Sequence, residues 1–311
     1  MEKQQIRVSI GLPVYNGEEY LSETLDSLLS QTLEDFELII SDNCSQDSTP
    51  KICSEYTSRD KRIRYYRQME NLGAIWNHNH VFTLARGKYF KWAAYDDICH
   101  PSFLSRCVEV LDEDPTTVWC HTQSSKIDHH GENLSSTVGK NCDPEHSSDA
   151  GHPRRYYRSG QPHKRFLGVL LGTNWCVDCY GLFRKNILDQ TRMLLPCFGA
   201  EKVLIGEVSL LGRYQEIPET LFFQRIHSQS SINLPWSVKR RHLIDPQKQG
   251  RQHVAFTRLQ LLGGHIGSVL YTNLRSGERV RCFVVILLYL LQVRKWKKVL
   301  TSTVTGAGLG E

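Results

Sequence analysis

The stretch KYFKWAAYDDICHP, residues 88–101, runs aromatic and apolar and then meets two adjacent carboxylates, Asp96 and Asp97. A charge in a protein interior is costly unless it is paired or coordinates a metal. The ends of strands are also where α/β folds place their chemistry. The doublet therefore reads either as a helix cap in a loop or as half of a cation site. Two other groupings are weaker. Cys176 and Cys179 form a lone C-x-x-C with no second pair at zinc-site spacing, which favours small, partly buried residues over a metal or redox site. His121, His129, His130, His146, His152 and His163 fall irregularly in a stretch rich in Ser, Gly, Arg and Pro. Irregular spacing reads as a solvated polar loop rather than a metal cluster.

Composition bounds the answer. With 311 residues, 40% apolar and 23% charged, the chain buries a large core as one domain with an appendage or as two small domains. A net charge of +5 is too weak to argue for nucleic acid; it fits a partner carrying phosphates, either a nucleotide or a lipid headgroup. Ten scattered cysteines fit a reduced, cytoplasmic chain better than a disulfide scaffold. The opening MEKQQIRVSI has no apolar h-region, so no secretory signal is expected.

Stepping through the elements, residues 7–12 (RVSIGL) form a short apolar strand, and residues 18–29 carry Tyr20, Leu21, Leu25, Leu28 and Leu29 at helical spacing. FELII, residues 36–40, is a second buried strand. Ser45 and Asp47 are N-cap candidates for a helix over residues 49–56. A third strand spans 62–67, the turn Asn71-Leu72-Gly73 leads to a helix over 74–85, and the 88–101 stretch supplies the fourth strand. This alternation predicts a mostly parallel α/β sheet covered by helices on both faces. Its polar strand ends, at 13–17, 41–47 and 96–97, should converge on one crevice, which favours the cation reading of the doublet. Residues 121–165 read as a long loop region. Order returns at 166–171 and 179–183, with a helix over 201–211 and a strand over 216–226.

The tail differs. Lys239-Arg240-Arg241 is a basic cluster, and CFVVILLYLL (282–291) is strongly apolar between Arg279 and Arg281 on one side and Arg294, Lys295, Lys297 and Lys298 on the other. Spanning a bilayer takes about 20 apolar residues, roughly twice this run. Basic flanks and Trp296 suit a helix lying in the headgroup region; a core helix docked on the main domain is the alternative, and both readings stand.

VSIGLPVYNGEEYL, LIISDNCSQDST, ENLGAIWNHNHVFTLARGKYF and YDDICHPSFL, in this order, resemble the successive blocks of family-2 glycosyltransferases of the GT-A fold, closely over residues 6–110 and more loosely to about 230. The resemblance implies a GT-A domain over 1–230, with a nucleotide-binding half at 1–110 and an acceptor half at 111–230, followed by a helical extension over 231–311. It implies an inverting transferase with a divalent cation (Mn2+ or Mg2+), a nucleoside-diphosphate-sugar donor of UDP or GDP type, and a carbohydrate or lipid-linked acceptor, in cell-surface polysaccharide or glycolipid synthesis.

The site residues follow from that resemblance. Tyr15 beside Pro13 offers a flat surface for a base and Asp42 an acceptor for a base N–H, with Asn16 and Glu19 near them. Asn71, Gly73 and Asn79 match the third block; Asn79 is either a ligand contact or a structural tie. Asp96 is the best cation ligand, and Asp97 a second ligand or its orienting neighbour in the catalytic centre. The usual first aspartate of the metal motif falls on Ala94. Glu201 is the candidate base, with Lys202 where a second acid often stands and Glu207 as fallback. Arg225 and His227 occupy a strand end where the family often carries a residue reaching the diphosphate or its metal. Residues 175–184 are expected on the acceptor side. Two other classes remain: a nucleotidyltransferase, disfavoured because LPVYNGEEY has one Gly and no Lys or Arg, and a non-catalytic nucleotide-sugar-binding or scaffold protein of the same fold, kept open by Ala94 and Lys202.

Overall fold

Strands β1 (Val8–Val14) and β2 (Phe36–Asp42) are buried along their whole length. Strands covered on both faces are mostly apolar; the exceptions near their starts are matched, with Ser9 Oγ donating to Glu37 (2.7 Å) and Arg64 pairing with the same carboxylate (2.6 Å). Side chains alternate between faces: Val8, Ile10, Leu12 and Val14 pack with Leu21, Leu25 and Leu28 on one side, while Ile39 joins Phe90 and Trp92 on the other. The computed structural model describes residues 6–134, 158–172, 177–197, 199–228 and 254–291.

Helices α1 (Leu21–Leu29), α2 (Thr49–Arg59) and α3 (Ala74–Thr83) alternate with β1, β2, β3 (Ile63–Arg67) and β4 (Tyr89–Trp92). β5 (Ile98–Cys99), α4 (Phe103–Glu113) and β6 (Thr117–Ile127) follow, then α5 (Pro162–Leu167), β7 (Leu182–Arg184), α6 (Lys185–Leu188), α7 (Ala200–Leu211) and β8 (Arg213–Arg225). Helices α8 (Val254–Tyr271) and α9 (Ser276–Leu290) complete the described chain. One eight-stranded sheet runs in the order β3-β2-β1-β4-β7-β6-β8-β5. β1 pairs in parallel with β2 and β4, β2 with β3, and β6 with β8; β7 is antiparallel to β4 and β6, and β5 to β8. The chain travels from β1 to one side of it and returns to the other, and such a switch point opens a crevice at the carboxyl ends of the strands.

Two sequence expectations change here. The 88–101 stretch is not one strand: β4 stops at Trp92, the Ala93 N–H makes a further bond to the Gly11 carbonyl (2.9 Å), and β5 then pairs with β8 at the other end of the sheet. Residues 121–127 belong to β6, with His121 buried, because β8 satisfies their backbone groups across two shifts of register. Their polar side chains had the composition of a loop. His129 and His130 do lie in a turn, His163 sits in α5 with its ring 2.8 Å from Glu278 of α9, and His146 and His152 lie outside the described residues. The basic cluster at 239–241 also lies outside them. Cys44, Cys53, Cys99, Cys107, Cys120, Cys197 and Cys282 are free thiols; Cys142 and Cys176 are not among the described residues.

Candidate active site

Val14 and Asp42 are register partners, so the loops after β1 and β2 leave the sheet side by side. Backbone groups of the first loop donate to side chains of the second: Asn16 N–H to Ser45 Oγ (2.9 Å), Gly17 N–H to Thr49 Oγ1 (2.8 Å) and Glu18 N–H to Asp47 Oδ2 (3.0 Å). Asn16 Oδ1 and Glu18 Oε2 return the favour by accepting from the backbone of Gln46 and Ser48. Asn16 and Cys44 hold φ of 51° and 67°, a conformation that L-residues keep only where the surroundings over-determine it. Asp47 also accepts the Thr49 N–H (3.0 Å), but the residue in the N-cap position is Ser48, so neither Ser45 nor Asp47 is the cap expected from the sequence. Pro13 lies beyond the part of β1 that pairs with β4, so its missing N–H leaves no ladder bond unmade there. Tyr15 is half-buried, and exposed Glu19 accepts the Tyr20 hydroxyl (2.8 Å).

Asp42 is placed differently from the expected base contact. It is fully buried: Oδ1 accepts the Ser45 N–H (2.8 Å), Oδ2 accepts the Tyr65 hydroxyl (2.9 Å), and the Arg67 guanidinium lies 3.6 Å away. In this arrangement its carboxylate organises the turn rather than facing a ligand. Neighbouring Asn43, which the sequence reading passed over, bonds Asn71 and the Leu72 backbone and so ties this turn to the start of α3.

After β4, residues 94–97 leave the sheet and are held from three directions. The Thr24 hydroxyl of α1 donates to the carbonyls of Tyr95 and Asp97 (2.8 and 3.0 Å). A Cβ at Gly17 would come within 2.9 Å of the Tyr95 ring, so only glycine lets the two loops pack this closely. From the end of β8, His227 Nε2 lies 2.9 Å from Asp96 Oδ2, and its ring rests 4.7 Å from that of Tyr20. Asp96 and His227 are thus brought together.

Asp97 and Arg225, expected as catalytic and ligand-binding residues, both turn inward in this structure. The Asp97 carboxylate accepts the Arg225 backbone N–H (3.0 Å). Burial first, and then the charge of Asp96, push its carboxyl well above the ordinary range, against the pull of the Arg225 N–H and of Lys91. The Arg225 guanidinium is buried: Nε donates to the Asp96 carbonyl (3.0 Å), Nη1 to the carbonyls of Asp128 and His129 (3.1 and 3.2 Å), and Nη2 to Glu23 (2.5 Å). It also stacks 4.8 Å over the Tyr20 ring.

Gly199, at φ 75°, turns the chain into α7, whose first turn carries Glu201. Burial raises its carboxyl above the ordinary glutamate value. Burial, then Cys179 and the charges of Asp97, Asp96 and Glu201, push the Tyr180 hydroxyl upward. Glu207, the fallback base, is fully buried and paired with Arg192 (3.3 Å), which also bonds Gly264 and Ser268 of α8. It fastens two helices and is withdrawn as a base. Asn79 resolves as a structural tie: its amide donates to the Leu194 carbonyl (2.9 Å) and accepts the Leu194 N–H (3.1 Å), pinning the segment that leads to α7. Residues 182–184, expected on the acceptor side, are strand β7 inside the sheet, preceded by the turn Val177–Tyr180.

A matched family model decides among these readings: the one described as "Glycosyl transferase family 2" covers residues 9–191. The chain belongs to this family. Among curated relatives, the putative glycosyltransferase EpsH of Bacillus subtilis is 24% identical over 76% of this chain, and an uncharacterized glycosyltransferase of Rickettsia typhi is 33% identical over 36% of it. The aligned regions span 61% and 35% of those proteins' own lengths. The fold is also that of TarS of S. aureus solved with UDP-GlcNAc (TM-score 0.59, 17% identity, 91% of this chain and 71% of that one). The mannosyltransferase PcManGT from Pyrobaculum calidifontis, solved with GDP-Man and Mn2+, is likewise similar (TM-score 0.52, 14% identity, 92% and 75%).

Within the family 2 fold, the fit of a cation rests on few protein atoms. Among the described residues no group of three or more His, Cys, Asp or Glu side chains converges as a metal cage. Asp96 and His227 offer one carboxylate and one imidazole. Magnesium-type sites are commonly completed by substrate phosphates and waters around one or two carboxylates, so this pair fits an ion that arrives with a diphosphate. Lys91 is a residue that sequence reading missed. Fully buried in β4, its Nζ donates to the carbonyls of Tyr180 (2.6 Å) and Trp92 (3.1 Å) and lies 4.6 and 5.2 Å from the rings of Phe103 and Phe222. A lone cation inside the apolar run YFKWAA was the available signal.

Proposed function

We propose that this chain is an inverting glycosyltransferase that moves a sugar from a UDP- or GDP-type donor to a hydroxyl of a carbohydrate or lipid-linked acceptor, in the synthesis of a cell-surface polysaccharide or glycolipid. The observation that carries this reading is the Asp96–His227 pair beyond the ends of β4 and β8, with Glu201, its carboxyl raised by burial, in the first turn of α7. Family membership and the nucleotide-sugar complexes of TarS and PcManGT support the donor class.

In this reading the loops after β1 and β2 hold the nucleoside against Tyr15, with Asn16 and Glu19 at the rim. Glu201 accepts the acceptor hydroxyl proton as that oxygen attacks the anomeric carbon, and the bond from that carbon to the diphosphate oxygen breaks on the opposite face. Asp96 and His227 would hold a divalent cation, which would supply charge neutralisation for the departing diphosphate. Arg225, Asp97 and Lys91 keep the acidic loop in place.

The β1–α1 loop has a single glycine, Gly17, and no Lys or Arg to cradle a triphosphate, which disfavours nucleotidyl transfer. A screen of nucleoside-diphosphate sugars with Mn2+, read as hydrolysis and as thermal shift, tests the proposal. Stabilisation with turnover is expected for one donor. Stabilisation without turnover, even with added acceptors, would favour a binding protein of the same fold.

A further inference from the structure

Helix α9 is apolar on two faces. Cys282, Val285, Ile286 and Tyr289 are buried in the core against α5 and α8, so the docked-helix reading of the tail holds for that face. Val280 (63% exposed), Val284, Leu287 (58%), Leu288 and Leu291 (71%) project outward. Their spacing of four, three, one and three residues places them on one side of a helix. Leu259, Leu270 and Tyr271 of α8 are exposed as well. Soluble monomers rarely leave a contiguous apolar patch of this kind uncovered. Spanning is not the explanation, since among the described residues no helix is long and apolar enough to cross a membrane.

Charge identifies what fits. Arg275, Arg279 and Arg281 stand at the start of α9, and the sequence after Leu291 continues through Arg294, Lys295, Trp296, Lys297 and Lys298. The one acid between residues 275 and 298, Glu278, is already engaged by His163 (2.8 Å) and Arg281 (2.6 Å). An apolar stripe that starts beside Arg275, Arg279 and Arg281, in a chain whose sequence turns basic again after it, matches an anionic lipid surface, where acyl chains take the leucines and headgroups the cations. Parallel pairing with a second copy of the chain would set the arginines at the start of one stripe against those of the other.

Direction links this face to the active site. Leu261 of α8 lies 3.3 Å from where a Cβ at Gly199 would stand, at the start of α7, and His265 sits similarly beside Gly206, so α8 runs alongside α7 in the same sense. α9 returns antiparallel, with Glu278 beside His163 of α5 and the Tyr289 ring 6.1 Å from His265. Its last turn, Leu287 to Leu291, therefore heads toward the end of α7 that carries Glu201.

We propose that the outward face of α9, with the exposed leucines of α8, docks on an anionic bilayer and so presents lipid-linked acceptors to Glu201. The presentation step rests on the transferase reading above; docking does not. The test is co-sedimentation of the full chain with vesicles of phosphatidylcholine containing phosphatidylglycerol, compared with phosphatidylcholine alone. Binding is expected only to the anionic vesicles and weakens with salt. Leu287→Glu combined with Leu291→Glu should lower the partition coefficient at least about tenfold, while the melting temperature and hydrolysis of a water-soluble donor stay unchanged. Equal sedimentation of parent and double variant would overturn the proposal. So would a parent that ignores vesicles but forms a dimer, by light scattering, that the double variant abolishes. Vesicle binding by a chain that turns over no donor would instead reject the transferase reading and leave docking standing.

Discussion

Asp96 Oδ2 and His227 Nε2 lie 2.9 Å apart, joining the loop after β4 to the end of β8 across 131 residues of sequence. Neither residue alone makes a site. Together they put a carboxylate and an imidazole on one point beside the nucleoside loops, and Asp96→Asn is expected to abolish transfer and weaken cation-dependent nucleotide binding. Calorimetry of UDP and GDP with and without Mn2+ checks this, and Mn2+-dependent binding as tight as in the parent would reject the assignment.

His227→Ala should lower activity about 10–100-fold, the range seen when a metal ligand or its supporting partner is lost. In a double-mutant cycle with Asp96→Asn the two losses should be strongly non-additive, because they remove one pair. Additive losses would mean that the two side chains act separately.

Glu201→Gln should leave donor affinity intact and slow transfer by about 10²–10⁴. A base works only when deprotonated, and burial raises this carboxyl. The acid limb of the parent's pH–rate profile should therefore lie above the ordinary glutamate range, with activity falling as pH drops through it. The variant should lose that limb; an unchanged limb would move the base to another residue.

Arg225→Met would leave the carbonyls of Asp96, Asp128 and His129 without their buried donor. A destabilisation of about 2–4 kcal/mol is expected, together with weaker donor binding, since the loop bearing Asp96 loses its anchor. Denaturant unfolding and nucleotide titration report the two effects. Weak binding with unaltered stability would return Arg225 to direct ligand contact.

His265 lies buried among Phe166, Tyr289 and α7 with both ring nitrogens unpartnered, and burial, then Lys202 and Arg192, push its pKa down to about 3. Below about pH 6.5 the unfolded chain takes up a proton that the folded one refuses. This contribution to stability is complete above pH 6.5 and is lost as pH falls toward 3, by up to about 1.4 kcal/mol per pH unit. His265→Leu should flatten that part of the stability–pH curve.

Much of the first half of the fold was legible in the sequence because parallel strands and the helices between them carry local signals: short, mostly apolar runs, helical spacing, and polar strand ends. Asp96 could be chosen because a charge closing an apolar strand is conspicuous, and His227 because a resemblance placed it at a strand end. Polar β6 was not legible, since its order comes from β8 rather than from its own side chains. Nor was the end of β4, where the chain leaves one strand position for another.

The sequence by itself determined the alternation of elements, the family, and a short set of charged residues near strand ends. Tertiary structure decided how their side chains are partnered: Asp96 and His227 meet each other, while Asp42, Asp97, Arg225, Asn79 and Glu207 bond backbone groups or buried charges of the scaffold. The physical reason is range. Hydrophobic periodicity is felt within a few residues, whereas a buried charge takes its role from partners such as Glu23 and Arg225, 202 positions apart, that only the folded chain brings together.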